Sequence, residues 1–159
     1  MPSIPVVPFV AVSAVVEHPI EMVWDAVQMH NFHKWYRPVA RSYKLPNEDA
    51  SVEIVRWEFN AIFEENSCDF EIMARDKINY TLSYYVHDSL KPLKYAASAS
   101  SIKLFPITFG EHKGHTFMQY TGEFASDATS AMIENSVFVR NDAISCLRSY
   151  LQGFGDSET

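Results

Sequence analysis

Basic residues are scarce in this chain: 13 Lys and Arg stand against 20 Asp and Glu, a net charge of −7 over 159 residues. A nucleic-acid partner needs clustered cations against phosphate, and an anionic membrane surface needs them too, so neither class of partner is expected. Cysteine is scarce as well. Cys68 and Cys146 cannot build a disulfide framework, and they suit a reducing, cytoplasmic setting. No run approaches the roughly 20 apolar residues of a membrane helix, so membrane insertion is not expected. The apolar start IPVVPFVAVSAVV has no basic beginning and is interrupted by prolines, so it reads as a strand with a stiff lead-in rather than a secretory signal. Gly-x-Ser-x-Gly, a Gly-rich phosphate loop and a dinucleotide fingerprint are all missing, which leaves no nucleophile or cofactor motif, and no cofactor is expected.

What the chain has instead is apolar and aromatic surface. Hydrophobic residues make up 47% and aromatics 14%, enough for one domain with a sizeable core. Residues 9–151 read as that domain, 1–8 as a proline-rich lead-in and 152–159 as a polar tail. Phe9 to Val16 is β-branched enough for a buried strand. Pro19 then opens a helix whose Ile20, Val23, Trp24 and Val27 fall at helical spacing, and a second short helix covers Asn31 to Tyr36, stopped by Pro38. From Val39 the period changes to two. Strands are expected at 39–45, 52–59, 67–74, 80–86, 95–105 and 116–124, separated by turn-forming clusters. A long helix from about Ala128 to Leu151, with Ile133, Val137, Ile144, Leu147 and Leu151 in one stripe, closes the chain, and Gly153 and Gly155 are expected to end it. The order is β–α–α–β6–α. Six strands with short links form an antiparallel meander, and the long helix is the element able to cover it. A curved sheet around one helix is rarely filled by side chains alone, so a cavity is expected between them.

That order, with HPIEMVWDAVQMHNFHKWYRPV after the first strand, resembles the START-like helix-grip superfamily of birch-pollen-type allergens, abscisic acid receptors and polyketide cyclase/dehydratase-like proteins. RDKINYTLSYYV, LKPLKYAAS, YTGEF and the closing MIENSVFVRNDAISCLRSYL carry the likeness across residues 9–151. It implies an α+β helix-grip fold: a seven-stranded curved antiparallel sheet and two short helices wrapped around the long C-terminal helix. It also implies an apolar ligand held between sheet and helix. Arg41 falls where the hormone receptors keep a lysine facing a ligand carboxylate, and Asp69 falls near one of their pocket-facing acids. Tyr84, Val86, Tyr95 and Ala97 match wall positions, while Ile133, Val137 and Asn141 match the pocket-facing stripe of the closing helix. The receptors' Ser-Gly-Leu-Pro-Ala gate is replaced by FNAIFEEN, which argues against that hormone role.

Read from the residues alone, Arg41 and Asp69 lie in apolar strands. If both point inward they must pair or bind a polar ligand group, since either charge alone would cost several kcal/mol; if outward, they are solvated surface. Tyr84, Tyr95 and Tyr120 share strand parity with apolar residues, so each can lay its ring on a wall and offer its hydroxyl to a ligand, or simply fill a core. His30 with His33, and His112 with His115, lack the further ligands of a zinc site, and no metal is expected. His87, at a strand end, is the acid/base candidate among the histidines.

The first expectation is therefore a protein that binds a small hydrophobic molecule (lipid, sterol or polyketide-like) as a monomer or homodimer. Its walls would be Tyr84, Val86, Tyr95, Ala97, Tyr120, Ile133 and Val137, with Arg41, Asp69 and Asn141 as polar anchors. Phe59 to Glu65 and Leu90 to Leu93 would form the mouth. The alternative is a cofactor-independent polyketide cyclase, dehydratase or isomerase, with Asp69, Tyr84 or His87 moving a proton and Arg41 stabilising an enolate. A third class, an interaction protein, would expose Trp35, Tyr36 and Leu90 as an apolar rim.

Overall fold

The computed structural model describes residues 9–60, 67–88, 99–124 and 128–156, with backbone alone at 87–88 and 154–156. Strand β1 (Phe9–Val16) leads into helix α1 (Ile20–Ala26) and a 3-10 helix (Met29–Lys34). Six strands follow: β2 (Val39–Lys44), β3 (Glu53–Phe59), β4 (Ser67–Asp76), β5 (Thr81–Asp88), β6 (Ala99–Pro106) and β7 (Thr116–Glu123). Helix α2 (Ser130–Asp156) closes the chain.

The strands form one antiparallel sheet in the order β1-β7-β6-β5-β4-β3-β2, so β2 to β7 are a plain meander and β1 adds to its last strand. This curved seven-stranded sheet, with its long C-terminal helix and two short helices, is an α+β fold of the helix-grip kind. Two local expectations need correcting. The second short helix is a 3-10 helix two residues earlier than the spacing implied. Gly153 and Gly155 do not end α2, which continues to Asp156; glycine weakens a helix interior by about 1 kcal/mol but does not forbid it.

Alternation puts one face of the sheet in the core. Ser100, Ile102 and Leu104 of β6 are buried, as are Thr116, Met118, Tyr120 and Gly122 of β7. From α2, Ala143, Ile144, Leu147 and Leu151 join the same core. The short helices fill one end with rings. Phe32, almost fully buried, lies 4.4 Å from Trp35 and 4.7 Å from Trp57, centroid to centroid. Both tryptophans complete their burial by donating: Trp35 Nε1 to the Ala26 carbonyl and Trp57 Nε1 to the Met29 carbonyl, each at 2.8 Å. Burying a ring of this size is worth about 1.5–3 kcal/mol, and the indole N–H is satisfied as well. Trp24 serves the opposite side, edge-on to Tyr80 at 5.7 Å. Tyr80 has φ 52, left-handed backbone that the preceding turn holds through Asp76, whose carboxylate accepts from the Ile78 and Asn79 amides.

Candidate functional site

The inner face of α2 carries one charge. Arg140 is 6% exposed and sits one turn from Ser136 and one from Ile144, on the stripe that meets the sheet. Its Nη1 donates to the Ser136 hydroxyl on its own helix, and its Nη2 donates to Ser100 Oγ of β6 at 2.8 Å. The guanidinium carbon lies 4.9 Å from the Tyr120 ring centroid, a cation–π contact inside the protein. Nε is buried with no acceptor among the described residues. Among the described residues, no carboxylate pairs with Arg140; the ion pairs there are Arg41–Glu58, Lys44–Glu53, Arg56–Asp69 and Arg75–Glu53.

The strands make room for this side chain. Ser100, which meets the arginine, pairs across the sheet with Tyr84 on β5 and Gly122 on β7, so a small residue stands next to it on the sheet. The Tyr84 and Tyr120 hydroxyls share a hydrogen bond next to it. Burial holds the Tyr84 phenol well above its ordinary range, helped by neighbouring Tyr120, while Arg140 and Ser100 pull it partly back. Burial likewise raises Tyr36, with Tyr120 and Asp142 adding to it. Both phenols stay protonated at neutral pH. An aromatic path leads to this polar tip: Trp57 meets Phe70 at 4.6 Å, and Phe70 meets Tyr84 edge-on at 5.4 Å. The arrangement is a buried cation and two neutral hydroxyls at the end of an apolar wall, a set that can orient an anionic or carbonyl oxygen.

The residues singled out in the sequence divide clearly. Tyr84 and Tyr120 come together as described. Val86, Phe59 and Val137 pack half-buried against the main core, and Ile133 joins Val10 and Phe124 in a smaller cluster that Val137 also touches. Arg41 is not inside. A bulge at Ala40 inserts one residue between the Val39–Phe59 and Arg41–Glu58 pairs, which reverses the alternation. Arg41 therefore lies on the outer face, pairs with Glu58 at 3.1 Å and covers the Tyr43 ring. Asp69 is buried but also faces away from the helix, between the inward Cys68 and Phe70. Its carboxylate accepts twice from Arg56, at 2.8 and 3.0 Å, so it is a structural partner and not a pocket acid. Asn141 is exposed, because the inward face of α2 runs through 136, 140, 143 and 147. Trp35 and Tyr36 are buried, which removes them from any exposed rim. Leu90, Tyr95 and Ala97 lie outside the described residues, as does the His87 side chain.

Arg140, Ser100 and Ser136 were missed. An arginine in a helix reads as solvated, yet its four-residue steps to Ser136 and Ile144 put it on the apolar stripe, and that was the available signal.

Two other places gather polar side chains away from this core. A cleft of about 190 Å³ between α1, the 3-10 helix and the end of α2 is lined by Met22, Asp25, Lys34, Trp35 and Leu151. The Asn31 amide there is already spent on the Asp25 carbonyl at 2.8 Å. The histidine pairs are separate from the core cluster: His33 Nδ1 bonds Ser42 Oγ at 2.6 Å, and the His112 and His115 rings lie tilted to each other, 5.9 Å apart. No three His, Cys, Asp or Glu among the described residues are grouped to hold a metal, and no described helix is long and apolar enough to cross a membrane.

No protein-family model matches the chain, and no curated protein does. Solved structures match it closely in shape. A protein from Nitrosospira multiformis is similar at 20% identity and TM-score 0.67, over 89% of this chain and 94% of that one. An uncharacterised protein of Bacillus thuringiensis is similar at 11% identity and TM-score 0.69, over 91% and 99%. At such identities the likeness is one of fold: this chain shares its helix-grip architecture with both.

Proposed function

We propose that this protein binds a small hydrophobic molecule, lipid, sterol or polyketide-like, between the inner face of the sheet and helix α2, as a member of the START-like superfamily that its sequence resembles. The observation that carries the reading is Arg140: a buried charge whose partners among the described residues are neutral hydroxyls is expensive, and a protein that retains one gains from it elsewhere. A ligand seated on the wall of Phe70, Tyr84 and Tyr120 would meet that group at its polar end. Cys68 and Cys146, both buried thiols outside any disulfide, suit a cytoplasmic setting for such a carrier or receptor.

Thermal-shift and calorimetric titration with sterols, fatty acids and aromatic polyketides tests this directly. Saturable binding of at least one class, abolished by filling the space with Ser100→Phe, is the expected result. No shift with any class, together with a crystal structure whose sheet–helix interior is filled by side chains, would overturn it.

A second reading is catalysis on a polyketone or similar enolisable substrate. It is favoured by the Tyr84 phenol, kept protonated by burial beside the Arg140 cation. Tyr84 would donate to a developing enolate, Arg140 would stabilise its charge, and the walls would fold the chain for ring closure. Tyr84→Phe would then slow turnover about 100-fold or more while leaving substrate affinity nearly unchanged.

A further inference from the structure

We infer that the ligand is a monoanion, an apolar molecule ending in one carboxylate, and that Arg140 is the residue that receives it. The inference rests on the binding reading above and deepens it.

The donor count of the guanidinium carries the argument. Arginine has five N–H bonds, cannot lose its charge in a protein, and matches a carboxylate with a two-pronged fork. Here Nη1 donates to Ser136, Nη2 to Ser100, and Nε to no described group although it is buried. The acceptors in use are neutral hydroxyls, each able to turn toward another donor. Elsewhere the chain pairs its arginines conventionally: Arg56 grips Asp69 with two bonds, and Arg75 reaches Glu53 at 2.5 Å. Arg140 is far more buried than either, and among the described residues it has no such acid.

The surroundings choose the class of anion. One cation with two tyrosine hydroxyls balances a single negative charge; a phosphate dianion would bring a second charge to a place where the described residues offer no second cation. The rings of Tyr120, Tyr84 and Phe70 lead away from the guanidinium, so the rest of the molecule is apolar. The Tyr84 and Tyr120 hydroxyls, joined by a hydrogen bond beside the guanidinium, are placed to donate to the carboxylate oxygen that the arginine does not hold.

Matched probes test this at pH 7: decanoate against decanol, and 2-naphthylacetate against its methyl ester, titrated by calorimetry into the wild type, Arg140→Met and Arg140→Lys. In the wild type each acid is expected to bind at least tenfold more tightly than its neutral mate. Arg140→Met should erase that preference while keeping its affinity for the neutral probes, which also reports that the variant is folded. Arg140→Lys, a charge without the fork, should keep part of the preference. Equal affinity for acid and neutral mate in the wild type, or an acid preference that survives in Arg140→Met, overturns the inference while leaving the binding reading intact. Failure of all four probes to bind overturns the inference as well, and it counts against the binding reading itself.

Discussion

Arg140 and Ser100 lie 40 residues apart in the chain and meet at 2.8 Å, helix to strand, in the core. The contact joins α2 to the sheet through a cation and a neutral hydroxyl. A pair of that kind is a poor source of stability, because an uncompensated buried charge costs several kcal/mol and a hydroxyl recovers only part of it.

Arg140→Met is therefore expected to leave the ligand-free protein as stable as the wild type, or to stabilise it by about 1–2 kcal/mol. Urea unfolding measures it. A loss of more than about 2 kcal/mol would mean that Arg140 holds the fold together, as an ordinary core residue does.

Asp69→Asn should behave in the opposite way. It breaks the two-bond grip of Arg56, whose guanidinium the Asp69 carboxylate holds even more firmly protonated than usual. Because Arg56 is partly exposed, the expected cost is about 1–2 kcal/mol. Ligand affinity should be unchanged, since both groups face away from α2. A large affinity loss in calorimetry would bring Asp69 back to the binding face.

The buried phenols set the alkaline limit. In the unfolded chain Tyr36 and Tyr84 ionise near pH 10, whereas folded they resist it, so above about pH 10 the unfolded state holds fewer protons. The stability they contribute is complete below pH 10. It declines above that by up to about 1.4 kcal/mol per pH unit for each phenol. Tyrosinate absorbance should show these two ionising only as the protein unfolds; a smooth titration of every tyrosine in the folded protein would contradict their burial.

His30 sets an acid limit. Burial first, then Lys44 and Arg75, lower its pKa below 6.5, and its Nδ1 is buried with no hydrogen-bond partner among the described residues. Protonation is thus easier unfolded, and stability present above pH 6.5 is lost as pH falls through the folded value. His30→Gln should flatten the stability profile between pH 6.5 and 5. An unchanged slope would clear His30 of the effect.

Trp57 links the sheet to the 3-10 helix through Met29. Trp57→Phe should cost about 2–4 kcal/mol, by leaving a buried carbonyl without its donor and a void beside Phe32 and Phe70. Chemical denaturation of the variant would report it, and a cost below about 1 kcal/mol would mean that the ring cluster repacks freely.

Local residue patterns sufficed for the number, order and nearly the bounds of the strands, and for the place of the long helix. These follow from periodicity, which each short segment carries within itself: two for Thr116–Glu123, near 3.6 for the stripe through Ile144, Leu147 and Leu151. Tyr84 and Tyr120 were legible for the same reason, as each shares parity with apolar neighbours. The placement of the charges depended on long-range packing. The bulge at Ala40 turned Arg41 outward, and Arg56, 13 residues away on the neighbouring strand, claimed Asp69. Arg140 came inside where Ser100, 40 residues earlier on β6, meets its guanidinium. A parity count fails at one inserted residue, and the burial of a charge depends on partners that no local window contains.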